Sequence, residues 1–167
     1  MKVGRRVGTI GTITAVVVLT TATSAHAALA ITVPPTVDLG SVASGTSSLS
    51  HQLGTISVTA SGVVAPSFTA SVATTTFITG AGAANQTIGK ASIFYWSGPA
   101  TAALLQNATS GQADAAHAQD LSMSRTAFSS VGLALSITTT WNPTIVIAIP
   151  AAAVAGTYTG TITHSVA

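Results

Sequence analysis

The residues able to do chemistry are few and scattered. Asp38, Asp114 and Asp120 are the only carboxylates, because the chain has no glutamate. A glycoside hydrolase needs two of them facing across a sugar. Asp114 and Asp120 flank one loop, where an aspartate ordinarily caps a turn through its own backbone. His51, His117 and His164 are isolated, without the clustered spacing of a metal site. His164 falls on the apolar side of a strand-like stretch, which suits a hydrogen-bonded structural histidine. Serine is abundant but no G-x-S-x-G elbow is present. Gly80-Ala81-Gly82 lacks the third glycine and the helix of a phosphate loop. The chain therefore reads as non-catalytic, with no catalytic residue, metal or cofactor assigned.

What remains is aromatic. Tyr95, Trp96, Trp141 and Tyr158 are all the tyrosine and tryptophan of the chain. Such rings stack on sugars or fill a core. Trp96 precedes Gly98-Pro99 at what reads as a strand end, so Tyr95 and Trp96 form the candidate ligand contact, with Lys90 near the same loop end. Trp141 is assigned to the core.

The elements that must position these rings read as strands. Ile145, Ile147 and Ile149 alternate with Thr144, Val146 and Ala148, up to Pro150. Beyond a turn over 151–156, Tyr158, Ile162, His164 and Val166 share one face and hydroxyl residues the other, so 141–167 is expected to close the chain as a hairpin. Phe68, Ala70 and Val72 alternate in 66–79, and Leu53, Ile56, Val58 and Ala60 line one face of 49–60. Gly54 is a candidate bulge. The residues 131–141 place Leu133, Leu135 and Ile137 together. An Ala-rich stretch, 112–119, has room for one or two helical turns. The fold class is all-β, an antiparallel immunoglobulin-like β-sandwich of about seven or eight short strands.

Composition supports strand over helix: no Glu, little Lys, and much Thr, Ser, Val and Gly. Lys2, Arg5 and Arg6, the apolar run 7–23, and Ala25-His26-Ala27 form the n, h and c regions of a secretory signal peptide. Residues 1–27 are thus expected to be removed, leaving 28–167 as one domain, secreted or associated with the cell wall. That domain keeps Lys90 and Arg125 against three aspartates, so 2 − 3 gives −1 with neutral histidine. Clustered cations are missing, which excludes a nucleic-acid footprint. With no cysteine, the exported domain must hold by core and sheet alone.

The stretches ITVPPTVDLG at 31–40, LGTISVT at 53–59 and WNPTIVIAIPAAAVAGTYTGTITHSV at 141–166 resemble the WxL-domain type of secreted cell-surface protein of Gram-positive bacteria. The Trp-x-Leu signature itself is not present, since Trp141 precedes Asn142-Pro143 and Trp96 precedes Ser97-Gly98. The resemblance implies an all-β module held non-covalently on the cell wall by contact with peptidoglycan or another cell-surface component. The alternative is a structural subunit of a coat or fibre that self-associates through its sheet edges.

Overall fold

Residues 28–43 and 45–167, with the backbone of Ile13–Thr14, are described by a computed structural model. The export segment expected over 1–27 otherwise lies outside the described residues. The backbone of Ile13–Thr14 pairs with Thr36–Val37.

Period-two alternation, with β-branched or aromatic residues at the inward positions, drives the chain into strands. The longer ones are β1 (Ala28–Thr32), β2 (Ser48–Gln52), β3 (Ile56–Ser61), β4 (Ser67–Thr74), β5 (Ile93–Trp96), β6 (Ala100–Ala103), β7 (Gln106–Ser110), β8 (Arg125–Gly132), β9 (Ser136–Trp141), β10 (Thr144–Ala148) and β11 (Ile162–Val166). Every pairing is antiparallel. One array runs β6–β9–β3–β1, a second runs from the short strand Gln119–Asp120 through β5, β10 and β2, and a third is β7–β8–β4–β11.

The first two arrays are halves of one long sheet. Trp141 stands opposite Ile56 and Thr144 opposite Gln52, so the same two chain passes, 48–61 and 136–148, pair on both sides of a one-residue slip. The Leu53 amide bridges that slip by donating to the Pro143 carbonyl at 2.9 Å. Gly54 occupies it with φ of +89°, where a Cβ would stand 2.9 Å from the Pro34 ring. Both the backbone and the space therefore favour glycine. β5 and β6 likewise form one pass along 136–148. Counted this way, the eight passes 28–32, 48–61, 67–74, 93–103, 106–110, 125–132, 136–148 and 162–166 make two layers. These are a long sheet I and a shorter sheet II, the third array above.

The fold is thus an antiparallel all-β sandwich. Its core lies between the layers. Ile56, Val58, Ile93, Tyr95, Trp141, Ile145 and Ile147 enter from sheet I, and Phe68, Ala70, Val72, Phe128, Ile162 and His164 from sheet II, all buried. The alternations read in 49–60 and 66–79 appear as drawn. The closing hairpin does not. β10 pairs with β2 and β5 in sheet I, whereas β11 pairs with β4 in sheet II, so the segment 149–161 crosses the sandwich. The helical turns expected in 112–119 reduce to one 3-10 turn, Ala115–His117.

Near one end, a partly buried polar knot joins the layers. The Gln106 carboxamide oxygen accepts from the Ser130 hydroxyl at 2.6 Å and the Thr139 hydroxyl at 2.7 Å. Its Nε2 donates to the Thr138 carbonyl at 2.6 Å. Gln106→Ala leaves both hydroxyls without this acceptor. A cost of about 1–3 kcal/mol is expected in urea unfolding, and Gln106→Glu, which keeps an acceptor, should cost less. Equal stability of Gln106→Ala and parent would remove the knot's structural role.

Candidate functional site

Strand β5 carries the sequence Ile-Phe-Tyr-Trp, and the pleat sends alternate side chains to opposite faces. Ile93 and Tyr95 point inward and are buried, while Phe94 and Trp96 point outward and are half-buried. Tyr95, half of the expected ligand contact, is therefore a core residue. Its Oη accepts from the Trp141 Nε1–H at 3.3 Å and lies 3.3 Å from His164 Nε2, which ties sheet I to sheet II. Burial raises the Tyr95 hydroxyl well above the usual phenol range, so it stays protonated.

Trp96 is the last residue of β5, as read, but the pass goes on past a bend into β6, so the ring stands along sheet I and not at its rim. Behind it, Ser97 is buried and its hydroxyl donates to the Ala127 carbonyl at 2.6 Å. The Gly98 amide donates to the Gln112 carbonyl at 3.1 Å. Gln112 Nε2 donates to the Thr126 carbonyl at 3.0 Å. These bonds fix the backbone on which the outer rings stand. Lys90, expected near Trp96, belongs instead to a 3-10 turn, Lys90–Ser92, at the opposite end of β5.

The outer face thus presents Phe94 and Trp96, two residues apart and about 7 Å apart along the strand. Across the ladder, Phe94 faces Val146 and Trp96 faces Thr144. Phe94 is the member of this site that the sequence reading missed. The signal was available, since residues at i and i+2 of a strand share a face whereas neighbours such as Tyr95 and Trp96 cannot.

The three aspartates have structural partners. The Asp114 carboxylate accepts from the Ala116 and His117 amides and lies 2.7 Å from His117 Nδ1; that hydrogen bond holds its pKa below the ordinary value. Asp120 accepts from the Ser122 amide and hydroxyl, which lowers its pKa, and pairs with Arg125 at 3.4 Å. Asp38 accepts from the Gly40 amide. Among the described residues no three of His, Asp, Glu or Cys gather into a metal-sized group. An apolar pocket of about 220 Å³ opens between the loops 42–47 and 149–155. It falls below the roughly 300–1,000 Å³ of ordinary small-molecule sites. The arrangement on the outer face is suited to stacking, with Asp120, paired to Arg125, standing opposite Phe94 on the other flank of β5.

No protein-family model matches the chain, and no curated protein matches it.

Proposed function

We propose that the chain is a non-catalytic exported surface module that contacts a cell-wall polymer, peptidoglycan in the first instance, through the outer face of sheet I. The observation that carries this is the pair Phe94 and Trp96, two rings on one face of a strand whose backbone is pinned from behind. Two rings on one strand face suit contact along an extended polymer, and no deep pocket is required. The resemblance to the WxL-domain type points the same way. Each stacked ring contributes about 0.5–1.5 kcal/mol, roughly 2- to 10-fold in affinity, and repeated contact along a polymer multiplies this.

The test is sedimentation with purified peptidoglycan. Trp96→Ala should lower the pelleted fraction several-fold, and Phe94→Ala should do the same, with melting temperatures far closer to the parent than that of a core variant. Binding equal to the parent in both variants rejects the site. Export is checked separately by N-terminal sequencing of secreted material, which should begin at or near Ala28; retained Met1 sinks that part.

The second reading, a self-associating structural subunit, is favoured by the sheet margins. β1, β7 and β11 are outermost strands with no Lys, Arg, Asp or Glu in them. Charge is the usual guard against edge-to-edge pairing. Assembly of the purified protein alone, without wall material, selects this reading.

A further inference from the structure

The chain has three asparagines, and each has a threonine two residues on: Asn85-Gln86-Thr87, Asn107-Ala108-Thr109 and Asn142-Pro143-Thr144. The first two match the acceptor pattern for an N-linked sugar, and the third is blocked by its middle proline. Proline fixes its own φ and restricts the residue before it.

The fold divides the three in the same way. Asn85 and Asn107 are exposed, whereas Asn142 is half-buried, with its Oδ1 shut away from water and without a partner. Asn85 lies in the 3-10 turn Ala84–Gln86, between the short strands Phe77–Ile78 and Thr87–Ile88, which pair with each other. Its main chain makes the structural contacts. The Asn85 carbonyl accepts from the Tyr158 hydroxyl at 3.3 Å and from the Val154 amide at 3.0 Å. A substituent on the side chain leaves these bonds in place. Asn107 is similar. Its main chain pairs opposite Val131 in the β7–β8 ladder, and its side chain stands on the outer face of sheet II. Thr109 is exposed on that face too, two residues along the strand.

The surroundings of Asn107 gain from such a substituent. β7 is an outermost strand with no charged residue. Val131, opposite Asn107, is 59% exposed. A sugar on Asn107 covers that side chain and crowds the free edge against a second strand. Charge is the usual guard of an edge, and this strand has none.

We propose that Asn85 and Asn107 are acceptors for an N-linked oligosaccharide, transferred from a polyprenyl-diphosphate donor as the chain is exported. The carboxamide Nδ2 attacks the anomeric carbon of the first sugar. An N–C bond forms, the C–O bond to the diphosphate breaks, and the polyprenyl diphosphate leaves with the electron pair. The Nδ2 proton passes to a base of the transferase, and nothing is oxidised or reduced. The threonine two residues on is part of what the transferase reads. Asn107 belongs to a formed ladder, so its transfer precedes the pairing of β7 with β8. The proposal needs export. It is independent of the Phe94–Trp96 contact, which lies on the outer face of the other sheet.

Lys90 and Arg125 are the only lysine and arginine of 28–167, so trypsin cuts that domain into 28–90, 91–125 and 126–167. Each peptide holds one of the three asparagines. Protein secreted by the cells that make it should give the first two peptides heavier by whole sugar residues, and 126–167 at its bare mass. Enzymatic release of the sugar in heavy-oxygen water should leave labelled aspartate at 85 and 107. Thr87→Ala and Thr109→Ala should each clear the added mass from its own peptide, and Thr87→Ser and Thr109→Ser should keep it. Secreted protein that begins near Ala28 but yields 28–90 and 91–125 at bare mass overturns the proposal and leaves export standing. Added mass that survives in the alanine variants, or that sits on serine or threonine oxygens, overturns it as well.

Discussion

Trp141→Ala should lower the melting temperature by about 10–20 °C, taking the usual scaling for a domain of this size. Trp141 is 0% exposed, the largest of the fully buried side chains. Its ring stacks on Phe128 of sheet II, with centroids 5.0 Å apart and planes 30° apart. Its Nε1–H donates to Tyr95 Oη at 3.3 Å. Truncation removes the transfer energy of the ring, the stack across the layers and a buried hydrogen bond, and leaves a cavity that rigid sheets close only in part. Such changes cost about 3–5 kcal/mol, against a total of about 5–15 kcal/mol for a domain. With no disulfide to hold the unfolded chain together, that loss falls directly on the equilibrium. A thermal melt followed by circular dichroism, with Trp96→Ala alongside, checks it. The half-buried Trp96 should cost much less. A Trp141→Ala melt within one or two degrees of the parent, or a larger loss for Trp96→Ala, would contradict the division of the two tryptophans between core and outer face.

That division shows what a single sequence can and cannot yield. Trp141 is core, as expected, though not beside a closing hairpin: it ends β9, where Ile137, Thr139 and Trp141 alternate inward and are all buried. The strands 56–61 and 67–74 were legible by the same alternation. Tyr95 and Trp96 were misjudged as a pair because nearness in sequence was allowed to stand for nearness on a surface. On a pleated strand the two conflict, and Ile93 already marked the inward phase. The closing hairpin failed for a different reason. Val146 and His164 each sit in well-formed strands, but their partners, Phe94 with Ser50 for one and Val72 for the other, lie far away in the chain. Alternation fixes which side a residue faces and is silent on which sheet receives it. Leu133 and Leu135 also keep period two with Ile137, and only the pairing of Gly132 with Gln106 reveals that the chain has turned before Ser136.

Stability should fall by about 1.4 kcal/mol for each pH unit below 6.5, and His164 is the cause. The ring is 3% exposed, in β11, within the sandwich. Tyr95 Oη accepts from the Trp141 Nε1–H and lies 3.3 Å from His164 Nε2, and burial keeps the imidazole neutral. Desolvation pushes its pKa down from 6.5 to about 3. In the unfolded chain the ordinary value returns. Between pH 6.5 and about 3 the unfolded state therefore binds a proton that the native state refuses, so unfolding becomes easier as pH falls. The full window is worth roughly 4–5 kcal/mol at 1.36 kcal/mol per unit. Asp114 and Asp120, whose carboxyls are also held below their ordinary range, act in the same direction but only near and below the ordinary carboxyl value of 3.8. Urea unfolding at pH 7, 6, 5 and 4 separates the two. His164→Gln keeps a neutral hydrogen-bonding side chain and cannot titrate, so its stability should be nearly flat from pH 7 to 5, whatever its absolute value. A parent that is equally flat, or a His164→Gln variant that keeps the slope, would show that the acid sensitivity does not arise at the Tyr95–His164 contact.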